Sequence, residues 1–372
     1  MAEPYRVAVI GRTGRGDYGH ALDMVWLSVP RAQVVAVSDP DKVGLAAAAK
    51  RLNVDQTFAD YREMLDKVKP TVVSIAPRWL DCHQEMVLAC AERGIHMYCE
   101  KPLSRTLAEA DAMVDACERT HVKLALAHQT RYSPKLPIVK QLIDDGAIGR
   151  VLELRGRGKE DQRGGSEDLW VLGSHVMDLI HYFAGEPQWC LATITTEGRP
   201  LAKADVVEGP EGIGPLAGDR VDAMYGLSNG ATAFFGSRRN GMGKPSRFGL
   251  QIYGSNGVIE ILTGYLPSVK LLVDGGWSPA RGKKQWQDVS SAGVGQPETV
   301  TMTSEEQQLA GNVAAANDLL DAIEQDRQPQ ASIYTGRTAV EMIIAPFESQ
   351  RTGARVDFPM VTRENPLTLL SG

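Results

Sequence analysis

The stretch that decides the fold is Val7-Ala8-Val9-Ile10 followed by Gly11-Arg12-Thr13-Gly14-Arg15-Gly16-Asp17-Tyr18-Gly19-His20. Four apolar residues in a row, with no polar alternation, describe a strand covered on both faces, the setting of a parallel sheet. The glycines that follow contain GxGxxG as Gly14, Gly16 and Gly19. Such a turn lets the backbone approach a pyrophosphate, whose charge is then expected at the N-terminus of the next helix. Leu22, Val25, Trp26 and Val29 have the spacing of one face of that helix. By itself the signature is weak, because glycines also serve ordinary turns.

The residues downstream repeat the theme. Short apolar runs recur at Gln33 to Val37, Thr71 to Ala76, Ile95 to Cys99 and Lys123 to Ala127, with helical periodicity between them, as at Met86, Val87, Cys90 and Ala91 before Gly94. Alternating strand and helix predict an α/β fold, a doubly wound parallel sheet of the Rossmann type, over residues 1–128. Asp39 ends the second run, where a carboxylate accepts from the ribose hydroxyls of a dinucleotide; it favours NAD, while Arg12, Arg15 and Lys42 leave NADP open. Glu100-Lys101-Pro102 follows another run, so Lys101 is expected to face the ligand crevice at the carboxyl ends of the strands.

Residues 129–372 read differently. A helix is expected from Pro134 to about Gly146, then strands at Val151 to Arg155, Cys190 to Thr196, Val221 to Leu227, Ala231 to Phe235, Phe248 to Tyr253 and Val258 to Leu262. Asn229-Gly230 and Asn256-Gly257 sit between two pairs of these runs, the signal of β-hairpins. The prediction is an α+β domain with a large, mostly antiparallel open sheet. The glycine- and proline-rich stretch Gly198 to Gly218 reads as a lid, a subunit contact or a surface loop.

Composition narrows the function. The 372-residue chain is 43% apolar and 23% charged, with net charge −6 and a pI of about 5.7, and its cations form no block. Nucleic acid is an unsuitable partner for such a surface. No apolar run reaches the roughly 18 residues that cross a bilayer. The start Met1-Ala-Glu-Pro-Tyr-Arg lacks a secretory pattern, and Cys82, Cys90, Cys99, Cys117 and Cys190 are scattered, so reduced thiols in a cytoplasmic protein are expected. The seven histidines form no metal-binding pattern, and no metal is expected.

With these pieces assembled, the chain resembles the glucose-fructose oxidoreductase and inositol dehydrogenase family (Gfo/Idh/MocA) over almost its whole length. The likeness rests on the glycine turn ending in Gly19-His20, Ser74-Ile75-Ala76-Pro77 with His83, Glu100-Lys101-Pro102, Arg131-Tyr132, Gly146-Ala147-Ile148-Gly149, and His175 to Pro187. The resemblance implies a dehydrogenase that oxidises a hydroxyl of a sugar, glycoside or cyclitol with NAD. It implies proton transfer by Lys101 beside the nicotinamide, a cis bond to Pro102, and a homo-oligomer, dimer or tetramer. Cofactor contacts are then expected from Gly11, Thr13, Gly14, Gly16, Asp39, Ala76, Pro77, His83, Glu100 and Lys101.

The second catalytic group is expected in Asp168 to His181. Read as one helix, its apolar face is Leu169, Leu172, Val176, Leu179 and Phe183, and Asp168, Val171, His175 and Asp178 form the adjoining stripe. His175 is the candidate base, since an unperturbed histidine pKa of about 6.5 suits proton transfer near neutrality. Relatives carry an aspartate where this chain has Val171, so Asp168 and Asp178 are candidate substitutes; His181 lies off the stripe and reads as structural. Arg131, Tyr132 and Arg163, the last in the charged run Arg155 to Asp168, are candidate substrate contacts. Two other readings stay open: glycoside cleavage through transient oxidation and elimination, and a non-catalytic NAD-binding sensor.

Overall fold

In the computed structural model, which describes residues 3–371, the first apolar run forms strand β1 (Tyr5–Ile10). It pairs in parallel with β2 (Ala32–Ser38) and β4 (Val72–Ile75), and the sheet is completed by β3 (Thr57–Phe58), β5 (His96–Cys99) and β6 (Leu124–Leu126) in the order β3-β2-β1-β4-β5-β6. Helices α1 (Lys42–Leu52), α2 (Tyr61–Val68), α3 (His83–Ala91) and α4 (Leu107–Thr120) connect them. Val7, Val9, Val72, Val73, Met97 and Leu124 are fully buried, which is why these strands show no polar alternation. This first unit comprises the described residues up to Gln129 together with Pro210–Gly214 and Gln308–Val340.

One expected element is absent. Instead of an α-helix after the glycine turn there are turns through Asp23 and a single 3₁₀ segment, Met24–Ser28. Asp17, Gly19 and Ala21 adopt φ values of 49°, 59° and 61°, and left-handed residues at every second position cannot propagate a right-handed helix. Leu22, Val25, Trp26 and Val29 are nevertheless buried. Their spacing recorded burial correctly and the helix wrongly.

The second unit, Thr130–Gly209, Pro215–Gln307 and the described residues from Glu341 on, is built on a sheet of 11 strands. After α5 (Lys135–Asp144) come β7 (Val151–Arg157), α6 (Ser166–Val171), α7 (Gly173–Ala184), β8 (Pro187–Thr196) and β9 (Arg199–Pro200). The short strands β10 (Val207–Gly209) and β11 (Gly214–Leu216) pair with each other. The sheet continues with β12 (Arg220–Leu227), β13 (Thr232–Arg238), β14 (Gly249–Gly254), β15 (Gly257–Leu262), β16 (Val269–Leu272), β17 (Gln287–Ser290), β18 (Gly293–Val294) and β19 (Val356–Asp357).

Among the described residues of the large sheet, β7 and β13 pair in parallel and the other pairings are antiparallel, with hairpins β12–β13 and β14–β15 at the two Asn-Gly turns. Helix α7 lies on one face: a Cβ at Gly156 would come within 2.4 Å of Val176 Cγ1, so only glycine lets the helix approach β7 this closely. On the other face, Leu191, Met224 and Phe234 stand side by side on β8, β12 and β13, and Leu191 and Phe234 are exposed. Among the described residues no helix is long and apolar enough to cross a membrane.

The glycine turn is tied to its sheet by one carboxylate. Glu100, fully buried just past β5, accepts from the backbone N–H of His20 at 2.8 Å, from His20 Nδ1 at 2.5 Å and from the backbone N–H of Lys101 at 2.9 Å. Gly19 leaves the room: a Cβ there would lie 2.4 Å from the Ala76 carbonyl oxygen and 2.6 Å from Glu100 Oε1. Burial opposes the charge on Glu100, but the charge of His20, its hydrogen bond and Lys101 outweigh burial and hold the carboxyl down at about 2. A carboxyl lowered in the folded state stabilises above its unfolded value of 4.5 and loses that contribution as pH falls toward about 2. Glu100→Gln is therefore expected to cost on the order of 3 kcal/mol near neutrality. Urea unfolding from pH 5 downward should show a shallower loss for the variant than for the wild type; parallel losses would remove Glu100 from this role.

Candidate active site

Lys101 sits at the carboxyl end of β5, where a doubly wound sheet presents its ligands, and only 6% of it is exposed. Its peptide bond to Pro102 is cis. Beneath the turn lies His83, fully buried, with Nδ1 3.0 Å from the Pro102 carbonyl oxygen and Nε2 2.8 Å from that of Pro77. His83 therefore joins the Ala76-Pro77 segment after β4 to the Lys101-Pro102 turn after β5. A side chain with no exposed surface has none to offer a cofactor, so the expected direct contact from His83 is corrected to a support. Glu100 is likewise internal, as described above.

The glycine turn is a narrow hairpin in which Arg12 and Asp17 exchange backbone hydrogen bonds of 3.0 and 3.1 Å. Gly16 backs onto the segment after β4, since a Cβ would lie 2.4 Å from the Arg78 backbone nitrogen. Gly14, at φ 80°, has open space around it. Arg15 pairs with Asp81 and lies over the Trp79 ring at 4.6 Å. Pro210–Gly214, within the segment expected as a lid, a subunit contact or a surface loop, also belongs to this unit: Glu211 is 4.0 Å from Arg78, and Gly212 adjoins Asp81.

Asp39 departs from expectation. Its carboxylate is fully buried and accepts from the Thr13 backbone N–H at 3.1 Å, Thr13 Oγ1 at 2.6 Å, Tyr18 Oη at 2.9 Å and the Asp41 backbone N–H at 2.9 Å. Burial, and then the Asp39 charge, push the Tyr18 phenol up, so it remains the donor. Sheet order, glycine turn and the position of Lys101 suit a nicotinamide dinucleotide. The usual helix N-terminus and an open ribose-facing carboxylate are not part of this turn.

In the second unit the expected helical stripe is broken. Backbone at Leu172 (φ −114°, ψ −35°) separates α6 from α7, and Gly173 fits under Phe235, whose ring would lie 3.2 Å from a Cβ. Asp168, on α6, is fully buried; its carboxylate accepts from the backbone N–H groups of Lys159 at 3.2 Å and Glu160 at 3.0 Å and from Ser237 Oγ at 2.5 Å. That makes it a brace for the loop after β7 and removes it as a substitute for the aspartate expected at Val171.

Asp178, on α7, is gripped by Arg131, whose Nε is 2.9 Å and Nη2 2.7 Å from its carboxylate and whose Nη2 also donates to the Asp178 carbonyl oxygen at 3.0 Å. Burial works against the arginine charge, and Asp178 more than offsets it. Both are buried, so this pair fixes α7 one turn beyond His175, which remains partly exposed. Tyr132 is buried beside Arg131 in the chain. Arg163 is forked onto Asp161, at 2.6 Å and 3.1 Å, which leaves its guanidinium engaged within its own loop. His181 meets Glu186 at 2.8 Å, in line with a structural role.

Tyr18 and Ser237, which donate to the buried carboxylates of Asp39 and Asp168, are residues that sequence reasoning missed. Neither carries a local signal, since each acts through a carboxylate far away in the chain. Among the described residues no group of three metal-ligating side chains occurs.

Comparison with known proteins agrees with this architecture. Residues 5–128 match the Gfo/Idh/MocA description "Oxidoreductase family, NAD-binding Rossmann fold", and residues 140–358 its "C-terminal alpha/beta domain". The levoglucosan dehydrogenase of Pseudarthrobacter phenanthrenivorans is 31% identical over 287 residues, 67% of this chain and 72% of that protein. The myo-inositol 2-dehydrogenase of Thermotoga maritima is 26% identical over 264 residues, 68% of this chain and 74% of that protein. The solved apo form of levoglucosan dehydrogenase superposes with a TM-score of 0.76 at 25% identity, covering 97% of this chain and 100% of that one. Both halves of the chain thus carry the same relationship, and the protein belongs to the Gfo/Idh/MocA family of NAD-binding oxidoreductases.

Proposed function

We propose that the protein oxidises a hydroxyl of a sugar, glycoside or cyclitol with NAD, with Lys101 and His175 handling the proton. The observation that carries this reading is Lys101 itself, nearly buried at the carboxyl end of β5 and locked through Glu100 and the His83-supported turn. Bound NAD supplies the hydride acceptor. The chain's own groups supply the rest. Lys101 orients the oxygen by a charge-assisted hydrogen bond, and His175 takes the hydroxyl proton as the carbon loses hydride. Arg131 and Asp178 hold α7 so that the imidazole stays in register.

This division of labour accounts for Val171 without a replacement aspartate, because both candidate substitutes are spent on structure. It favours the two-residue form of the chemistry over a lost activity. The cyclic anhydrosugar and the inositol named for the relatives mark the substrate class to try first. We further propose that residues 1–128, which Pro210–Gly214 and Gln308–Val340 join in one compact unit, bind the nucleotide, that the rest of residues 129–372 form the substrate and oligomerisation domain, and that the location is cytoplasmic. The row of exposed Leu191 and Phe234 with half-buried Met224 between them is the surface on which a second copy would pack, since this face otherwise leaves apolar side chains in water.

With NAD, a panel of levoglucosan, myo-inositol and simple sugars should show turnover for at least one member at the absorbance of the reduced cofactor; silence across the panel would sink the dehydrogenase reading. Lys101→Met and His175→Ala should each lower kcat by about 10²-fold or more while NAD binding, followed by calorimetry, changes little. Phe234→Glu should shift the mass measured by light scattering to that of a monomer, and an unaltered mass would place the subunit contact elsewhere.

A further inference from the structure

Asp39 occupies the position that in doubly wound folds accepts the adenosine ribose hydroxyls and so selects NAD over NADP. A carboxylate has about four lone-pair sites. Here four donors from the chain fill them: the Thr13 backbone N–H, Thr13 Oγ1, Tyr18 Oη and the Asp41 backbone N–H. Nothing of Asp39 is exposed.

Its surroundings are closed by covalent geometry as well as by contacts. Gly44, in the first turn of α1, lies so near that a Cβ there would be 3.0 Å from Asp39 Oδ2 and would overlap Thr13 Oγ1. The Tyr18 ring covers Gly11, where a Cβ would be 2.2 Å from ring carbon Cε1, and packs against Val9, Val37, Ala48 and Leu52. The Arg51 guanidinium lies over the other side of that ring at 4.7 Å and pairs with Asp23. Tyr18 is therefore a partly buried side chain packed on the core, and its hydroxyl ends on Asp39.

Resting on the reading of this unit as the NAD-binding one, we infer that Asp39 is a positioning residue and not the ribose acceptor. Its carboxylate stands in for the missing helix: it gathers Thr13 from one limb of the hairpin and Tyr18 from the other and so sets the shape of the glycine turn. Discrimination between NAD and NADP then does not depend on a contact with Asp39, because its carboxylate is occupied by four neutral donors of the chain and, with no exposed surface, presents no face to a 2′-phosphate. Replacing Asp39, which in an open site relaxes selectivity toward NADP, should here damage the turn for both dinucleotides alike.

The test is calorimetric titration of NAD and NADP into the full-length protein, well below each variant's melting temperature, so that a variant that is merely less stable keeps wild-type affinity. Asp39→Asn is expected to weaken both dinucleotides by about tenfold or more, the order of one hydrogen bond to a charged group, with their affinity ratio kept within about threefold. Tyr18→Phe, which leaves Asp39 in place and conserves the ring, should weaken both in the same way. The double variant should bind no worse than Asp39→Asn, since coupled residues are not additive.

A tenfold shift of Asp39→Asn toward NADP would overturn the inference. So would wild-type affinity in Tyr18→Phe, or full additivity in the double variant. A wild type that binds neither dinucleotide would remove the cofactor reading and this inference with it, whereas dinucleotide binding without oxidation of any sugar would remove the proposed activity alone.

Discussion

The buried Glu100 carboxylate is the interaction on which the rest of the first unit depends. It receives both His20 groups and the Lys101 backbone N–H, so a single anion joins the glycine turn after β1 to the lysine after β5. An isolated buried carboxylate would be costly to keep charged. Here, three donors and a neighbouring cation repay that cost, and the low local dielectric strengthens each of those bonds. The consequence is geometric: the Lys101 backbone is held beside the glycine turn.

The same device recurs. Asp39 gathers Thr13 and Tyr18, Asp168 gathers the loop after β7 with Ser237, and Asp178 is gripped by Arg131. Each carboxylate lies in a stretch with functional residues, and each is consumed by donors from its own unit. A family that varies its substrate needs rigid scaffolding around few chemical groups, because misplacement of a catalytic atom by about 1 Å can cost on the order of 10²-fold in rate. Internal carboxylates provide that rigidity within each unit, Glu100 and Asp39 in the first and Asp168 and Asp178 in the second.

The first sheet was legible because a strand buried on both faces has to be apolar throughout, and β1, β2, β4, β5 and β6 fall on the five runs read from the chain. The hairpins β12–β13 and β14–β15 were legible from Asn-Gly, whose backbone freedom suits a tight turn. The helix expected over Leu22 to Val29 was not, because periodicity reports which side chains are buried, and turns leading into and out of a 3₁₀ segment bury the same four. The stripe Asp168, Val171, His175 and Asp178 was misread for a related cause: at Leu172 one helix ends before the next begins, and the two aspartates, on separate helices, have different partners.

By itself, then, the sequence determined the alternation of strand and helix, the hairpin sheet, the family resemblance and the candidates Lys101 and His175, all of which follow from local periodicity or from short motifs. Tertiary structure alone decided which acidic residues remain available to a ligand. Asp39, Glu100, Asp168 and Asp178 look alike in the chain, and their roles depend on donors far away in it, such as Tyr18 on Asp39 and Arg131 on Asp178. A carboxylate's chemistry is set by how many of its lone pairs are already taken, and that count exists only once the chain has folded.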